Sequence, residues 1–229
     1  IGTIHEYLSD AELKPIEEIM GFIDHFSKIA IAACGTCVTV CMSGGEKEAN
    51  ELASAIKLKM HEQNKLIDIK VVTPKRQCDK EFLEDIAAEL GECEAILSLG
   101  CGAGIQFMAE YFQKVQVFPG VNTSFIGVAR DVGIWTEMCQ GCGDCILEKT
   151  GGVCPITRCS KSNLNGPCGG SSGGKCEVDP DIDCGWQLIY DKLSALGKLD
   201  NLLEIIPPKD WRTSRDGGPR KVVKKEVIL

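Results

Sequence analysis

Fourteen cysteines among 229 residues constrain this chain more than any other feature. They make up about 6% of the sequence, below the roughly 8–10% of short disulfide scaffolds and well above what a cytosolic domain keeps as inert core thiols. The three histidines, His5, His25 and His61, lie outside the cysteine clusters, so mixed Cys/His zinc sites are not expected. The cysteines therefore predict a metal or redox role with sulfur ligands.

Length and composition set the class of protein. A chain of 229 residues fits one ordinary domain and a smaller second one. No apolar run approaches the roughly 18 residues of a membrane span, and the visible start lacks the pattern of a secretory signal. We therefore expect a cytoplasmic protein without a membrane partner. The net charge of −8 also disfavours a nucleic-acid partner, because phosphate binding needs a positive surface.

The first half alternates between short apolar runs and helical periodicity, which is typical of strand–helix–strand units around a parallel sheet. Helices with one apolar face are predicted after Gly44-Gly45, near Phe82 and near Ile105. Strands are predicted at Ile29–Ala33, Leu66–Val72, Ala95–Leu99, Val115–Phe118 and Phe125–Val128. The sequence thus predicts a Rossmann-like or flavodoxin-like α/β domain over residues 1–134.

The following segment is rich in cysteine and glycine and poor in apolar runs. Eight cysteines lie between Cys139 and Cys184. Such a segment buries too little apolar surface to offset its chain entropy, and metal ligation commonly supplies the deficit. A closing helix is predicted from Trp186 to Leu196, with Gly197 as its cap. We expect a small ferredoxin-like cluster domain over residues 135–200 and an extended tail over 201–229.

The strongest ligand signal is Cys139-Gln-Gly-Cys142-Gly-Asp-Cys145, followed by Cys154-Pro155. This is ferredoxin spacing, in which three thiolates hold one cubane and the Cys-Pro cysteine ligates its neighbour. By that analogy the first cluster takes its fourth ligand from Cys176 or Cys184. The second cluster is then anchored by Cys154, Cys159 and Cys168. Zinc held by four thiolates is the alternative, but the three closely spaced cysteines favour iron–sulfur.

Cysteines also follow each of the first three predicted strands. Parallel strands end at one edge of a sheet, and open α/β folds bind their ligands there. The sequence therefore predicts a further cluster held by Cys34 and Cys37, with Cys101 and either Cys41 or Cys78. For Cys41 and Cys78 the alternative is a buried thiol, because cysteine also packs as a small hydrophobe.

The string that runs from Cys154-Pro-Ile-Thr-Arg-Cys159 through Asn-Gly-Pro-Cys168 and Lys175-Cys176 to Asp183-Cys184-Gly-Trp186 resembles a known family. It is similar to the cysteine-rich small subunit that accompanies methylenetetrahydrofolate reductase. The segments Cys34-Gly-Thr-Cys37 and Gly100-Cys101-Gly102 extend the resemblance into the first half. The family's cysteine-rich region is also described as zinc-binding. The resemblance implies a partner subunit that carries FMN and the folate site, neither of which is expected in this chain.

The resemblance thus implies an electron-transfer subunit without a catalytic site of its own. Two or three [4Fe–4S] clusters, with zinc as the alternative at one site, would feed the FMN of the flavin-containing large subunit. A ferredoxin or a hydrogenase or dehydrogenase module would be the upstream donor. The alternatives are a structural zinc-binding assembly subunit of the same complex and a stand-alone electron carrier.

The C-terminal tail has a charge opposite to that of the remaining chain. From Lys209 to Leu229, seven Lys and Arg stand against three Asp and Glu, a local net charge of +4 that leaves −12 elsewhere. Pro207-Pro208 disfavours a helix. Apolar anchors are available at Val222, Val223, Val227, Ile228 and Leu229. We expect the tail to dock on the flavin subunit, and the alternative is that it packs on its own domain.

Overall fold

The structure is a computed structural model that describes residues 8–131 and 133–224. The chain divides into two compact units, one ending at Thr136 and the other beginning at Glu137. Within the described residues, no helix combines the length and the apolar character that crossing a membrane requires.

A parallel sheet forms the centre of the first unit. The strands of the chain are β1 (Leu8–Leu13), β2 (Lys28–Ala32), β3 (Asp68–Val72), β4 (Ala95–Ser98), β5 (Gln116–Pro119), β6 (Val121–Asp131) and β7 (Ile134–Cys139). Four of them form the parallel sheet in the order β3-β2-β4-β5. The first strand of this sheet is flanked by the second and the third, so the chain winds outward from β2 in both directions. This confirms the predicted α/β class with a parallel sheet.

Helices cover both faces of the parallel sheet. They are α1 (Ile16–Ile23), α2 (Cys37–Val40), α3 (Glu46–Glu62), α4 (Lys80–Glu84), α5 (Ala87–Leu90) and α6 (Gly102–Tyr111). Ile29 and Ile31 of β2 pack in the same cluster as α1 and α3. Ala30 and Ala32 of the same strand pack in the cluster that contains Met108 of α6. Because side chains alternate along a strand, this division is expected for a sheet that is buried on both sides.

Two of the predicted elements differ in detail. The helix predicted near Phe82 is divided into α4 and α5. The predicted strand Phe125–Val128 lies in β6, which belongs to a separate sheet with the order β1-β6-β7. In that sheet β1 pairs with β6 in antiparallel fashion.

The second unit has a small core around one helix. Its helices are α7 (Pro155–Arg158) and α8 (Gly185–Ala195), and Trp186, Ile189 and Leu193 of α8 are buried together with Cys184. Gly197 follows α8 with a φ of +65°, which is the left-handed cap that was predicted. The region predicted as an extended tail contains 3-10 turns at Leu199–Leu203, Trp211–Thr213 and Arg215–Gly217.

Candidate metal centres

Four cysteines lie where the parallel strands end. Cys34 is two residues past the end of β2, and Cys37 begins α2. Cys78 lies in the connection between β3 and α4, and Cys101 is the residue that precedes α6. The strand ends therefore carry these side chains to the carboxyl edge of the sheet, as the sequence predicted.

The thiol of Cys78 interacts electrostatically with the thiols of the other three cysteines. Partial desolvation of the thiol raises its pKa, although the residue as a whole is exposed. Three neighbouring thiols raise the same pKa further, in the order Cys101, Cys34 and Cys37. Nearby groups of like charge disfavour ionisation in this way, and a bound cation would remove the repulsion among the thiolates. We call Cys34, Cys37, Cys78 and Cys101 the sheet-edge cysteines.

Cys41 and Cys93 occupy other environments. Cys41 is buried at the end of α2, where its backbone N–H donates to the Cys37 carbonyl. We propose Cys78 rather than Cys41 as the fourth candidate ligand, because the Cys78 thiol interacts with those of Cys34, Cys37 and Cys101. Cys93 has no cysteine close in sequence. It is buried beside Leu90, and its thiol donates to the Glu89 carbonyl at 3.8 Å.

A buried glutamine joins the strand ends that carry the sheet-edge cysteines. Gln77 is fully buried, and its Nε2 donates to the carbonyls of Ala32 and Ala33, each at 2.8 Å. Its Oε1 accepts from the Ser98 hydroxyl at 2.5 Å. Ala32 ends β2 and Ser98 ends β4, so one side chain ties the loop of Cys78 to the two strands that precede Cys34 and Cys101.

Gln77 also explains one of the glycines near Cys101. A Cβ on Gly100 would overlap Oε1 of Gln77, so residue 100 is glycine because the amide lies against its backbone. Gln77 itself was missed, because a glutamine in a loop has no pattern that distinguishes it from a surface residue.

Three cysteines of the second unit lie in a loop that begins at the end of β7. This segment, residues 139–145, is called the three-cysteine loop below. The Gly141 N–H donates to Sγ of Cys139 at 3.3 Å. Gly141 and Gly143 have φ values of +61° and +82°, a conformation that glycine adopts without steric cost. The loop thus has the tight turns and the N–H to sulfur contact that a thiolate cluster needs.

Cys159 and Cys184 lie at the ends of the two helices of this unit. Cys154 and Cys159 flank α7, and Cys184 immediately precedes α8. A Cβ on Gly185 would overlap the Arg158 carbonyl and approach the Cys159 nitrogen to 2.9 Å. Cys159 also packs on the core that includes Cys184. The structure therefore places Cys159 near Cys184. The ferredoxin analogy left open whether Cys184 or Cys176 belongs to the first cluster.

Cys176 is joined to the same region through backbone pairing. The Cys176 N–H donates to the Ile182 carbonyl at 2.9 Å, and the Cys184 N–H donates to the Gly174 carbonyl at 2.8 Å. The Cys176 thiol lies 3.4 Å from the Ser160 hydroxyl, and this hydrogen bond is the main cause that lowers the pKa of Cys176. Cys176 therefore lies next to both Cys184 and the residue that follows Cys159.

Cys168 is connected to Cys159 and Cys176 through the ion pair between Glu177 and Lys161. Its thiol donates to Oε1 of Glu177 at 3.5 Å, and the same oxygen pairs with Lys161. Glu177 follows Cys176, and Lys161 lies two residues after Cys159. Four cysteines, Cys159, Cys168, Cys176 and Cys184, are thus joined by direct contacts of their own residues or immediate neighbours.

The donor set of each group fits a metal in its chemistry. All fourteen cysteines lie among the described residues, and none forms a disulfide. Thiolate sulfur is the ligand that iron–sulfur clusters and structural zinc have in common. In the part of the chain that the structure describes, no three Cys, His, Asp or Glu side chains are gathered closely enough to hold an ion as they stand. The ligand types are therefore present, while the ligand sets stay predictions.

The fold and the cysteines define an α/β protein with a cysteine-rich second unit. Residues 118–212 match a protein-family model described as methylene-tetrahydrofolate reductase C terminal. The matched segment contains all eight cysteines from Cys139 to Cys184, and it supports the relation to methylenetetrahydrofolate reductase that the sequence string indicated. Comparison with curated proteins and with solved structures yields no match.

Proposed function

We propose that this protein is the iron–sulfur electron-transfer subunit of a methylenetetrahydrofolate reductase and delivers electrons to FMN in the catalytic subunit. The observation that carries the proposal is the family match over residues 118–212, a segment with eight cysteines of which Cys139, Cys142, Cys145 and Cys154 have ferredoxin-like spacing. The sheet-edge cysteines support it, since they add four thiols at the place where open α/β sheets bind ligands.

The contacts favour one division of the eight cysteines into two ligand sets. Cys159, Cys168, Cys176 and Cys184 are joined as described above. The three-cysteine loop would then take Cys154 as its fourth ligand. In support, the Thr157 hydroxyl of α7 donates to the Met138 carbonyl at 3.1 Å, so the helix that follows Cys154 lies against the residue before Cys139. This division replaces the one taken from the ferredoxin analogy.

The residues of the chain would hold the clusters and shape their surroundings. Iron–sulfur clusters supply one-electron chemistry. The chain would accept electrons singly from a ferredoxin-type donor and pass two of them to the flavin, which takes up two protons from solvent. The partner's FMN would supply these two electrons with one proton as the hydride that reduces the methylene group on folate to a methyl group, and the second proton would balance the reduction. The folate chemistry therefore belongs to the partner.

Metal analysis of the anaerobically isolated complex tests the proposal. We expect iron and sulfide in amounts that fit two or three cubane clusters, with visible absorption that bleaches on reduction. The flavin of the partner should be reduced by a ferredoxin-type donor only when this chain is present. Stoichiometric zinc with negligible iron would contradict the proposal.

A structural zinc site is the second candidate for one of the ligand sets. The observation that favours it is the packing of Cys159 and Cys184 against a buried helix core, because structural zinc sites are closed and contribute directly to folding. In that case the isolated protein should hold zinc that is lost together with the fold of the second unit, while iron is confined to the other cysteines.

A further inference from the structure

The C-terminal segment 209–220 lies against the three-cysteine loop of its own unit. Three of its side chains donate hydrogen bonds to backbone carbonyls of that loop: Arg220 to Gly141 at 2.6 Å, Thr213 to Cys142 at 2.9 Å and Lys209 to Asp144 at 2.8 Å. We call this segment the C-terminal strap. The acceptors are three of the four residues that lie between Gln140 and Cys145, so the contact covers most of the loop.

Lys209 is the anchor of the strap. Its side chain is only 4% exposed, and its ammonium lies 3.4 Å from Oδ2 of Asp144 as well as beside the Asp144 carbonyl. The same ammonium lies 5.8 Å from the centre of the Trp211 ring, within the range of a cation–π contact. A lysine loses this much hydration only where the protein supplies partners for its charge. All of these partners belong to the loop or to the strap.

The backbone of the strap approaches the loop closely at one glycine. A Cβ on Gly143 would overlap the Thr213 carbonyl. Arg220 donates to that same carbonyl at 3.3 Å while it donates to Gly141. The Thr213 hydroxyl has the Asp210 carbonyl as a second acceptor at 3.0 Å. Strap and loop therefore fit together over a stretch of backbone, and not at one salt bridge alone.

The strap has local order of its own. The Asp210 carboxylate accepts from the Arg212 N–H at 3.0 Å and pairs with the Arg212 guanidinium. The Ser214 side chain is buried, donates to the Trp211 carbonyl at 2.6 Å and accepts from the Asp216 N–H at 3.1 Å. These short-range bonds close the two 3-10 turns. The segment can therefore present Lys209, Thr213 and Arg220 in fixed positions.

We propose that the C-terminal strap is a positioning element that holds the three-cysteine loop in the shape needed to bind its metal. The proposal rests on the proposed function in so far as the loop is taken to bind a metal. The loop contributes few apolar contacts, so its carbonyls need polar partners to fix the backbone. The strap supplies these partners, and two of them carry positive charge next to cysteines that bind metal as thiolates.

The inference changes the interpretation of the basic tail. The sequence led us to expect that the tail docks on the flavin subunit, with packing on its own domain as the alternative. Residues 209–220 contact their own unit, as in the alternative. Docking stays a prediction for the chain beyond Arg220, where Val222 and Val223 are exposed. The anchors Val227, Ile228 and Leu229 lie outside the described residues.

The test uses the full chain and compares substitutions within the tail. Lys209→Met and Arg220→Met remove the charge of a strap residue, and Arg220→Lys restores a cation at an exposed position. Lys221→Met is the matched control, because Lys221 is an exposed cation next to Arg220. Two quantities are measured: the rate at which isolated protein releases iron to a chelator, and the rate at which Cys142 is alkylated in metal-free protein.

We expect Lys209→Met to accelerate both rates about tenfold, because a charge-assisted hydrogen bond contributes enough free energy for such a factor. Arg220→Met should accelerate both rates about threefold. In Arg220→Lys both rates should be close to those of the wild type, and Lys221→Met should change neither rate. The electron paramagnetic resonance spectrum of the reduced protein should change in Lys209→Met and not in Lys221→Met.

Failure of the strap and failure of the metal role have different signatures. If the isolated protein holds neither iron nor zinc, the proposed function is wrong, and the alkylation rates still decide on the strap. If alkylation of Cys142 is equally fast in the wild type, Arg220→Met and Lys221→Met, the strap does not position the loop. If Lys209→Met does not fold, the two variants at the exposed Arg220 decide. Faster iron release and alkylation in Arg220→Met that Arg220→Lys does not reverse would also overturn the proposal.

Discussion

The sheet-edge cysteines and the cysteines of the second unit are held in place by different means. At the sheet edge, buried strands end in short loops, and the fully buried Gln77 joins two strand ends through hydrogen bonds of 2.5–2.8 Å. In the second unit, left-handed glycines, surface ion pairs and the C-terminal strap hold thiols that, apart from that of Cys184, are exposed or half-buried. The hydrophobic core of the sheet thus fixes the positions of the sheet-edge cysteines. The arrangement in the second unit depends on polar contacts, and we expect metal binding to complete it.

Metal removal should separate the two regions most strongly. After treatment with a chelator under reducing conditions, amides in residues 139–184 should exchange hydrogen far faster, because metal binding contributes on the order of 10 kcal/mol to small metal-folded domains. Amides of β2, β3 and β4 should keep their protection. Hydrogen exchange read by mass spectrometry on peptides from both units checks this, and equal loss of protection in both would refute the contrast.

The ligand assignment at the sheet edge can be tested with a matched pair of cysteines. Cys78→Ser should lower the iron content by about four atoms per chain, one cubane cluster, because the Cys78 thiol interacts with Cys34, Cys37 and Cys101. Cys41→Ser should leave the iron content unchanged. Iron analysis after anaerobic isolation makes the comparison. Should Cys34→Ser and Cys101→Ser both retain the full iron content, the sheet edge holds no cluster.

Gln77→Leu should destabilise the first unit by about 3–5 kcal/mol. The substitution leaves the Ala33 carbonyl and the hydroxyl proton of Ser98 without their partner in a buried place, and each such loss costs about 1–3 kcal/mol. The Ala32 carbonyl loses one of two hydrogen bonds and keeps the one from the Leu99 N–H. Urea denaturation followed by a probe in the first unit measures the change in the free energy of unfolding. The control is Gln106→Leu at an exposed position of α6, for which the change should stay within about 0.5 kcal/mol.

The contact between strap and loop can be tested by comparing the stability of alanine variants at two glycines of the second unit. Gly143 and Gly152 have similar φ values of +82° and +89°, but a Cβ would overlap Thr213 only at Gly143, while nothing lies within 4 Å of one at Gly152. Gly152→Ala should cost about 1–2 kcal/mol for its backbone conformation alone. Gly143→Ala should cost at least about 1 kcal/mol more. Equal values from urea denaturation would mean that strap and loop do not touch in solution.

The regular elements of the first unit were the most predictable part of the chain. In α3, the apolar residues Ala49, Leu52, Ala53, Ile56 and Met60 follow one helical face, and all are buried. Strands β2 and β4 were found because both of their faces are apolar. Strand β3 was found although Asp68 and Lys70 are exposed. Strand β1 was not found, and β6 was found only in part. Short alternating segments indicate a strand without indicating its partner, and partner choice depends on distant residues.

The site was predictable in its ligand types and not in the residues that position them. Cysteine spacing identified the three-cysteine loop, whereas the approach of Cys176 to Ser160 depends on backbone pairing between residues 174–176 and 182–184. The strap was visible only as part of the basic tail from Lys209 to Leu229, which has a local net charge of +4. A count of charges in the sequence does not identify the carboxylate or carbonyl group that each Lys or Arg side chain contacts. Asp144, the partner of Lys209, lies 65 residues earlier in the chain.

That separation along the chain has a consequence for biosynthesis. The ribosome makes the three-cysteine loop first and adds Lys209 only 65 residues after Asp144, a delay on the order of several seconds at ordinary elongation rates. During this interval the loop lacks its carbonyl partners. Under the proposed function, metal insertion into the loop would be linked to synthesis of the strap. A product truncated before Lys209 would carry the cysteines without the segment that contacts the loop.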